Sequence, residues 1–245
     1  IALVGINLIT NLSFNETFYN VNSIKVKDTI RVIQLSDLHN SKYGKDNKKL
    51  IERISDLEPD VIVATGDILH RRDKKQDVSY NLFKELTPIA PTYFVYGNNE
   101  WALDYDFDST LKDLEKVSGQ SKDNHDLDKL LDDVASNGIR KELEKIGVRV
   151  LQNEMESIEV DGGMVDIYGL FTSNPSAFWH YVGKDYERFM YEDTHHVKIF
   201  LSHEPYVYET YKEEQWGDLV LCGHTHGGLS VLPLVGSLWE QTHGL

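Results

Sequence analysis

From residue 30 onward, apolar positions alternate between two spacings. IRVIQL, Ile30 to Leu35, is a short β-branched run that stops at Ser36. In the following KKLIERISDL, Leu50, Ile51, Ile54 and Leu57 fall on one helical face, and Pro59 closes the segment. VIVAT (61–65) reads as the next strand. A second helical face, Val78, Leu82, Phe83 and Leu86, leads to TYFVY (92–96). Strand, helix, strand, helix, strand predicts a parallel sheet covered by helices, which collects ligands beyond the carboxyl ends of its strands. Further on, IRKELEKIG predicts a helix, while VRVL, SIEV, MVDIYGL, VKIFL (197–201) and DLVLC (218–222) predict strands. The aromatic-rich stretch between Phe171 and His196 has no clean period and reads as loop with some helix.

Two segments stand apart. Residues 101–138 form an acidic insertion with helical spacing at Leu111, Leu114 and Val117 and at Leu127, Leu130 and Leu131. It reads equally as solvated decoration or as a lid. The apolar opening, IALVGINLITNL, is too short for a membrane span of about 20 residues. With the polar stretch that follows, residues 1–21 read as the remnant of an anchor or targeting segment, or as an edge element.

Composition then removes whole classes. The 245 residues are 40% hydrophobic, enough for one large core. Forty acidic against 25 basic residues leave a formal charge of -15, which repels a polyanionic backbone and argues against broad nucleic-acid binding. The single cysteine, Cys222, excludes an internal disulfide and a Cys-rich zinc site, and its apolar surroundings predict a packing role.

The informative residues lie where the strands stop. IRVIQL runs into Asp37 and His39, VIVAT into Gly66 and Asp67, and TYFVY into Gly97, Asn98, Asn99 and Glu100. VKIFL runs into His203, and DLVLC into Gly223, His224, Thr225 and His226. A lone Asp or His at a strand end is an ordinary turn residue; five strand ends together point to metal chemistry. Imidazoles suit Zn, Fe or Mn, and carboxylates offset the charge of adjacent cations. Asp37 and His39, two apart, are expected on an extended segment that turns both to one side, and His224 and His226 likewise.

This ordered set, with QLSDLH and GHTHGG around it, resembles the motifs of the calcineurin-like metallophosphoesterases over roughly residues 22 to 245, most closely a bacterial branch that is often membrane-anchored or exported. The resemblance implies an α/β (α+β) fold, a four-layer sandwich of two mixed β-sheets flanked by helices. It implies two divalent metal ions (Mn, Fe or Zn) bridged by Asp67 and a water or hydroxide. Asp37, His39 and His226 would complete one site, and Asn98, His203 and His224 the other. It also implies further strands after GHTHGG, so a chain stopping at Leu245 is expected to be truncated at its C-terminus.

One position departs from the family. Where a His usually follows the metal-binding Asn, this chain has Asn99, whose amide cannot serve as a general acid near neutral pH. Asn98 and Asn99 are expected to face the substrate, and His70, three residues past Asp67, is the candidate proton donor. The expected function is hydrolysis of a phosphodiester, pyrophosphate or activated phosphate ester, with a lipid or cell-envelope substrate and membrane association or export in view. A cytoplasmic location, a non-catalytic interaction module on the same fold, and a metal-dependent hydrolase of non-phosphate substrates are the competing readings.

Overall fold

A computed structural model describes residues 14, 16–104, 138–171, 183–192, 194–206, 217–226, 230–232 and 236–239. Most of the 101–138 insertion, residues 1–13 of the opening segment and most of the last 19 residues therefore lie outside the described residues.

Three apolar clusters separate four layers. The first sheet has the order β1 (Val32–Leu35), β2 (Val61–Ala64), β3 (Thr92–Phe94), β4 (Arg149–Val150), every pair parallel. The second comprises β5 (Glu154–Val160), β6 (Gly163–Gly169), β7 (Val197–Leu201) and β8 (Leu219–Leu221). Its β5–β6 pair is antiparallel and its other two pairs are parallel. The second sheet is thus mixed as expected, while the first is wholly parallel among the described residues. A short antiparallel pair, β9 (Ser230–Leu232) and β10 (Gly236–Trp239), follows.

Alternation along each strand assigns the faces. Val61 and Val63 of β2, Tyr93 and Val95, Val165 and Ile167 of β6, and Ile199 and Leu201 of β7 fill the space between the sheets. The intervening Ile62, Ala64 and Phe94 face outward onto helices α1 (Lys48–Asp56), α2 (Asp77–Leu86) and α4 (Ile139–Lys145), through Leu50, Ile54, Leu82, Phe83, Leu86, Ile139 and Leu143. A short helix, α3 (Asn98–Asp104), starts directly after β3. On the far side of the second sheet, Tyr168 and Phe200 pack against Tyr186 and Phe189 of α5 (Gly183–Tyr191). That helix lies where the sequence shows no clean period; its buried anchors Tyr186 and Phe189 are joined by Met190, and Asp185 Oδ2 accepts from Met155 N of β5. β2 carries apolar residues on both faces and is fully buried, as a central parallel strand requires.

The opening segment touches the domain before residue 22. Phe14 meets the Tyr43 ring edge-on at 5.8 Å, and Glu16 receives three hydrogen bonds from the Arg53 guanidinium at 2.8–2.9 Å. Phe18, Tyr19, Val21 and Ile24 are exposed. Among the described residues no helix is long and apolar enough to cross a membrane. Cys222 is half-buried rather than a core residue, and its carbonyl accepts from Gln34 Nε2 at 2.8 Å.

Phe200 is fully buried between β6 and α5. Phe200→Ala is expected to cost about 3–5 kcal/mol. Urea unfolding should show the midpoint falling with the slope unchanged; a loss under 1 kcal/mol would mean this outer layer contributes little.

Candidate metal centre

The carboxyl ends of β1, β2, β3, β7 and β8 meet at one edge because the two sheets pack face to face. Backbone ladders continue past the strands: Asp37 N donates to Gly66 O, His39 N to Asp67 O and Asn40 N to Ile68 O, at 2.8–3.1 Å. These bonds seat the loop after β1 beside the loop after β2. Across the sheets, Gln34 Nε2 donates to Cys222 O and His224 N to both Asp37 oxygens, while within the second sheet Gly223 N donates to His203 O.

The expected extended geometry does not hold here. Asp37, His39, Asp67, His224 and His226 all have positive φ, between 47° and 72°. Each is a left-handed turn residue, so the side chains converge through tight turns rather than along a strand. Such conformations cost L-residues roughly 1–2 kcal/mol each, are tolerated best by Asn, Asp and His, and concentrate at functional sites. Gly66 (φ 87°) and Gly97 make the close approach feasible. A Cβ on Gly66 would lie 2.6 Å from Gly97 N and from His203 Nδ1, and one on Gly97 would strike the Asp67 carboxylate.

All seven expected ligands gather at this edge. His39 Nε2 lies 3.2 Å from His226 Nε2, with the two rings stacked at 11°. His226 Nε2 is 3.3 Å from Asp37 Oδ1, and His39 Nε2 is 3.9 Å from Asp67 Oδ2. On the other side, His203 Nε2 lies 3.2 Å from Asn98 Oδ1, 3.2 Å from His224 Nδ1 and 3.7 Å from Asp67 Oδ1. Two triads hold their donor atoms within 4.8 Å of one another: Asp37, His39, His226 and Asp37, Asp67, His203. Asp37 belongs to both triads, and Asp67 lies 3.9 Å from His39 and 3.7 Å from His203, so both carboxylates reach the two groups.

The donor chemistry fits a cation. His203 Nδ1 lies 2.7 Å from the Thr65 carbonyl, which only accepts, so this nitrogen carries the proton. The opposite nitrogen, Nε2, faces the Asn98 and Asp67 oxygens and His224 Nδ1. A cation lodged here would be met by oxygen and nitrogen donors from four side chains, Asn98, Asp67, His203 and His224. Burial holds the His39 and His224 imidazoles below the ordinary histidine range, against the opposing pull of Asp67 and Glu204 respectively. Neutral rings keep their lone pairs for a metal. His39 Nδ1 is buried with no hydrogen-bond partner among the described residues, and its ring is set by stacking on His226 and by the edge of His70 at 5.6 Å.

Asn99, expected to face the substrate, is 5% exposed and fully engaged. Its N and Nδ2 donate to the two Asp67 oxygens at 2.8 and 2.6 Å, and its Oδ1 accepts from Arg71 N at 3.1 Å. His70 lies at the rim, with Nδ1 3.5 Å from Asp73 Oδ1. Glu100 has no role in the sequence reading, yet its carboxylate accepts from the backbone N–H groups of Asp67, Leu69 and Gly97, each at 2.8 Å. Burial and the nearby Asp67 push its carboxyl up to about 7, while the three donors pull the other way. The signal available is a Glu in the first turn of a helix directly after β3, next to the expected ligand Asn98.

The Calcineurin-like phosphoesterase family profile matches residues 30–228 of this chain. The chain belongs to that family, whose class is the hydrolases of phosphoric ester bonds. It is 28% identical over 205 residues to an uncharacterized metallophosphoesterase of Aquifex aeolicus (strain VF5), covering 82% of this chain and 64% of that protein. It is 26% identical over 228 residues to the metallophosphoesterase YkoQ of Bacillus subtilis (strain 168), covering 89% and 71%. To Phosphodiesterase YaeI of Escherichia coli (strain K12) it is 25% identical over 214 residues, covering 84% and 64%. The chain thus spans roughly two thirds of the length of these relatives.

Glu100→Gln places an NH₂ against at least one of three backbone donors. It is expected to lower unfolding free energy by about 1–3 kcal/mol, read by urea denaturation of the metal-free protein. An unchanged midpoint would remove Glu100 from the account of how Asp67 is held.

Proposed function

We propose that this chain is a dinuclear metal-dependent phosphoesterase that cleaves a phosphodiester, a pyrophosphate or another activated phosphate ester. The observation that supports it most is the convergence of His203 Nε2, Asn98 Oδ1, His224 Nδ1 and Asp67 Oδ1 beside a second group made of Asp37, His39 and His226. Asp67 and Asp37 supply the negative charge shared between the two cations. Asn98, His203 and His224 would hold one, and His39 and His226 the other. Mn, Fe and Zn all accept these donors. Two bound divalent ions would supply a nucleophile at neutral pH and neutralise charge on the phosphoryl oxygens.

The chain's own residues divide the remaining work. Asn99 orients Asp67 with two hydrogen bonds and so acts as a positioning residue. Glu100 fixes the backbone on which Asp67 stands. We assign the proton for a departing oxygen to His70, a reading supported by its partial exposure and its edge-on contact with His39. A phosphodiester substrate also agrees with the name of the Escherichia coli relative. The exposed Phe18, Tyr19, Val21 and Ile24, next to the apolar opening of the chain, favour a membrane-proximal protein acting on a lipid or cell-envelope phosphoester.

General acid catalysis is typically worth about 10²–10⁴ in rate and matters most for poor leaving groups. His70→Ala should therefore lose about that factor on an alkyl phosphodiester and far less on bis(p-nitrophenyl) phosphate, both assayed with Mn²⁺. Equal losses on the two substrates would remove His70 from the proton-donor role. Asp67→Asn should abolish hydrolysis of both and reduce bound metal below two equivalents; full metal content with retained hydrolysis would contradict the dinuclear reading.

A further inference from the structure

Seven arginines occur in the chain, and five of them are paired with carboxylates: Arg31 with Glu58, Arg53 with Glu16, Arg140 with Glu144 and Glu154, Arg149 with Glu156, and Arg188 with Asp185 and Glu192. Arg71 and Arg72 have no such partner among the described residues. Neither do Lys74 and Lys75, so four cations stand exposed and unpaired within five residues of a chain whose net charge is -15. A carboxylate-rich surface normally consumes its arginines, and a cluster left unpaired retains its full attraction for an outside anion.

The segment is held firmly at the metal centre. Arg71 N donates to Asn99 Oδ1, and the same carboxamide donates to Asp67 Oδ2, so one side chain separates the Arg71 backbone from a metal-facing carboxylate. Gln76 closes the loop on itself by accepting from His70 N and donating to His70 O and Asp73 O. Asn40 Nδ2 donates to Asp73 Oδ2 and to Lys75 O. The one acidic residue of the segment, Asp73, is thus occupied by Asn40 and His70, which leaves the four cations facing solvent at the rim.

We propose that Arg71 and Arg72, supported by Lys74 and Lys75, form a subsite for a second phosphate group of the substrate, beyond the one that is cleaved. This inference rests on the phosphoesterase reading and narrows its substrate class to molecules that carry a further phosphate. A compact, multiply charged ligand suits a local cluster of four cations, whereas a long polyanion would meet the acidic remainder of the surface. Guanidinium groups grip phosphate oxygens in pairs, which makes the two arginines the specific element and the lysines the general attraction.

The test compares thymidine 5′-(p-nitrophenyl phosphate) with its 3′-phosphorylated form on the metal-replete protein. The wild type should prefer the phosphorylated substrate in kcat/KM, and Arg71→Ala/Arg72→Ala should reduce that preference about tenfold or more. Arg71→Lys/Arg72→Lys should fall between the two, since charge remains and the paired grip is lost. Inorganic tripolyphosphate, titrated calorimetrically, should bind the wild type at least about tenfold tighter than the double alanine variant. Phosphatidic acid vesicles, set against phosphatidylcholine vesicles, tell a lipid-borne phosphate from a soluble one. Binding of tripolyphosphate or of phosphatidic acid that weakens in the variant supports the subsite; equal binding of both in the two proteins overturns it. If neither nucleotide is hydrolysed, the phosphoesterase reading fails, and the tripolyphosphate and vesicle titrations alone decide the subsite.

Discussion

The face-to-face packing of two sheets, with five carboxyl strand ends brought to one edge, is the constraint on which the rest of this molecule depends. Val61, Val63, Tyr93, Val95, Val165, Ile167, Ile199 and Leu201 fix how the sheets sit on one another. Because side chains alternate along a strand, slipping one strand by a single residue would exchange its inner and outer faces and carry its terminal ligand with it. The cross-sheet bonds Gln34–Cys222, Thr65–His203 and Asp37–His224 hold the register at the edge where it matters. Core packing and ligand geometry are therefore one problem in this fold.

That edge is costly for a metal-free chain. Five expected ligands stand in left-handed turns, two carboxylates and several imidazole nitrogens crowd together, and Glu100 is fully buried beside Asp67. The chain meets the cost with donors aimed from behind. Asn99 holds both Asp67 oxygens, His224 N and Ser36 Oγ hold Asp37, and three N–H groups hold Glu100. The acceptors are thus preorganised, and what they need in front of them is positive charge. Next to this negative interior the rim carries the reverse sign, in Arg71, Arg72, Lys74 and Lys75. A phosphoester presents negative charge to both.

Much of this was legible in the chain itself, for reasons that differ by element. VIVA is apolar on both faces, which only a sheet buried on both sides accommodates, VKIFL is interrupted only by Lys198, and both are strands as the spacing predicts. The seven expected ligands stand out by residue type at successive strand ends, and the fold gathers their side chains at one edge. Their backbone conformation was not legible: two residues of spacing suits an extended segment as well as a left-handed turn, and only the tolerance of Asp and His for positive φ separates them. Asn99 was read from the chemistry of its amide, whereas its burial depends on Arg71 N and Asp67, which lie about thirty positions earlier. The short helix around Tyr186 and Phe189 draws its stability from Tyr168 and Phe200 on other strands, so its own spacing carries little signal.

The central claim is that the acceptors around Asp37, Asp67 and His203 face one another because two cations belong among them. Elemental analysis combined with anomalous scattering from crystals soaked in excess manganese, iron or zinc tests it most directly. The account predicts two metal sites, one contacted by His39 and His226 and the other by Asn98, His203 and His224, with carboxylate oxygen between them. A pocket that stays empty under those conditions, with the same side-chain positions, would contradict it.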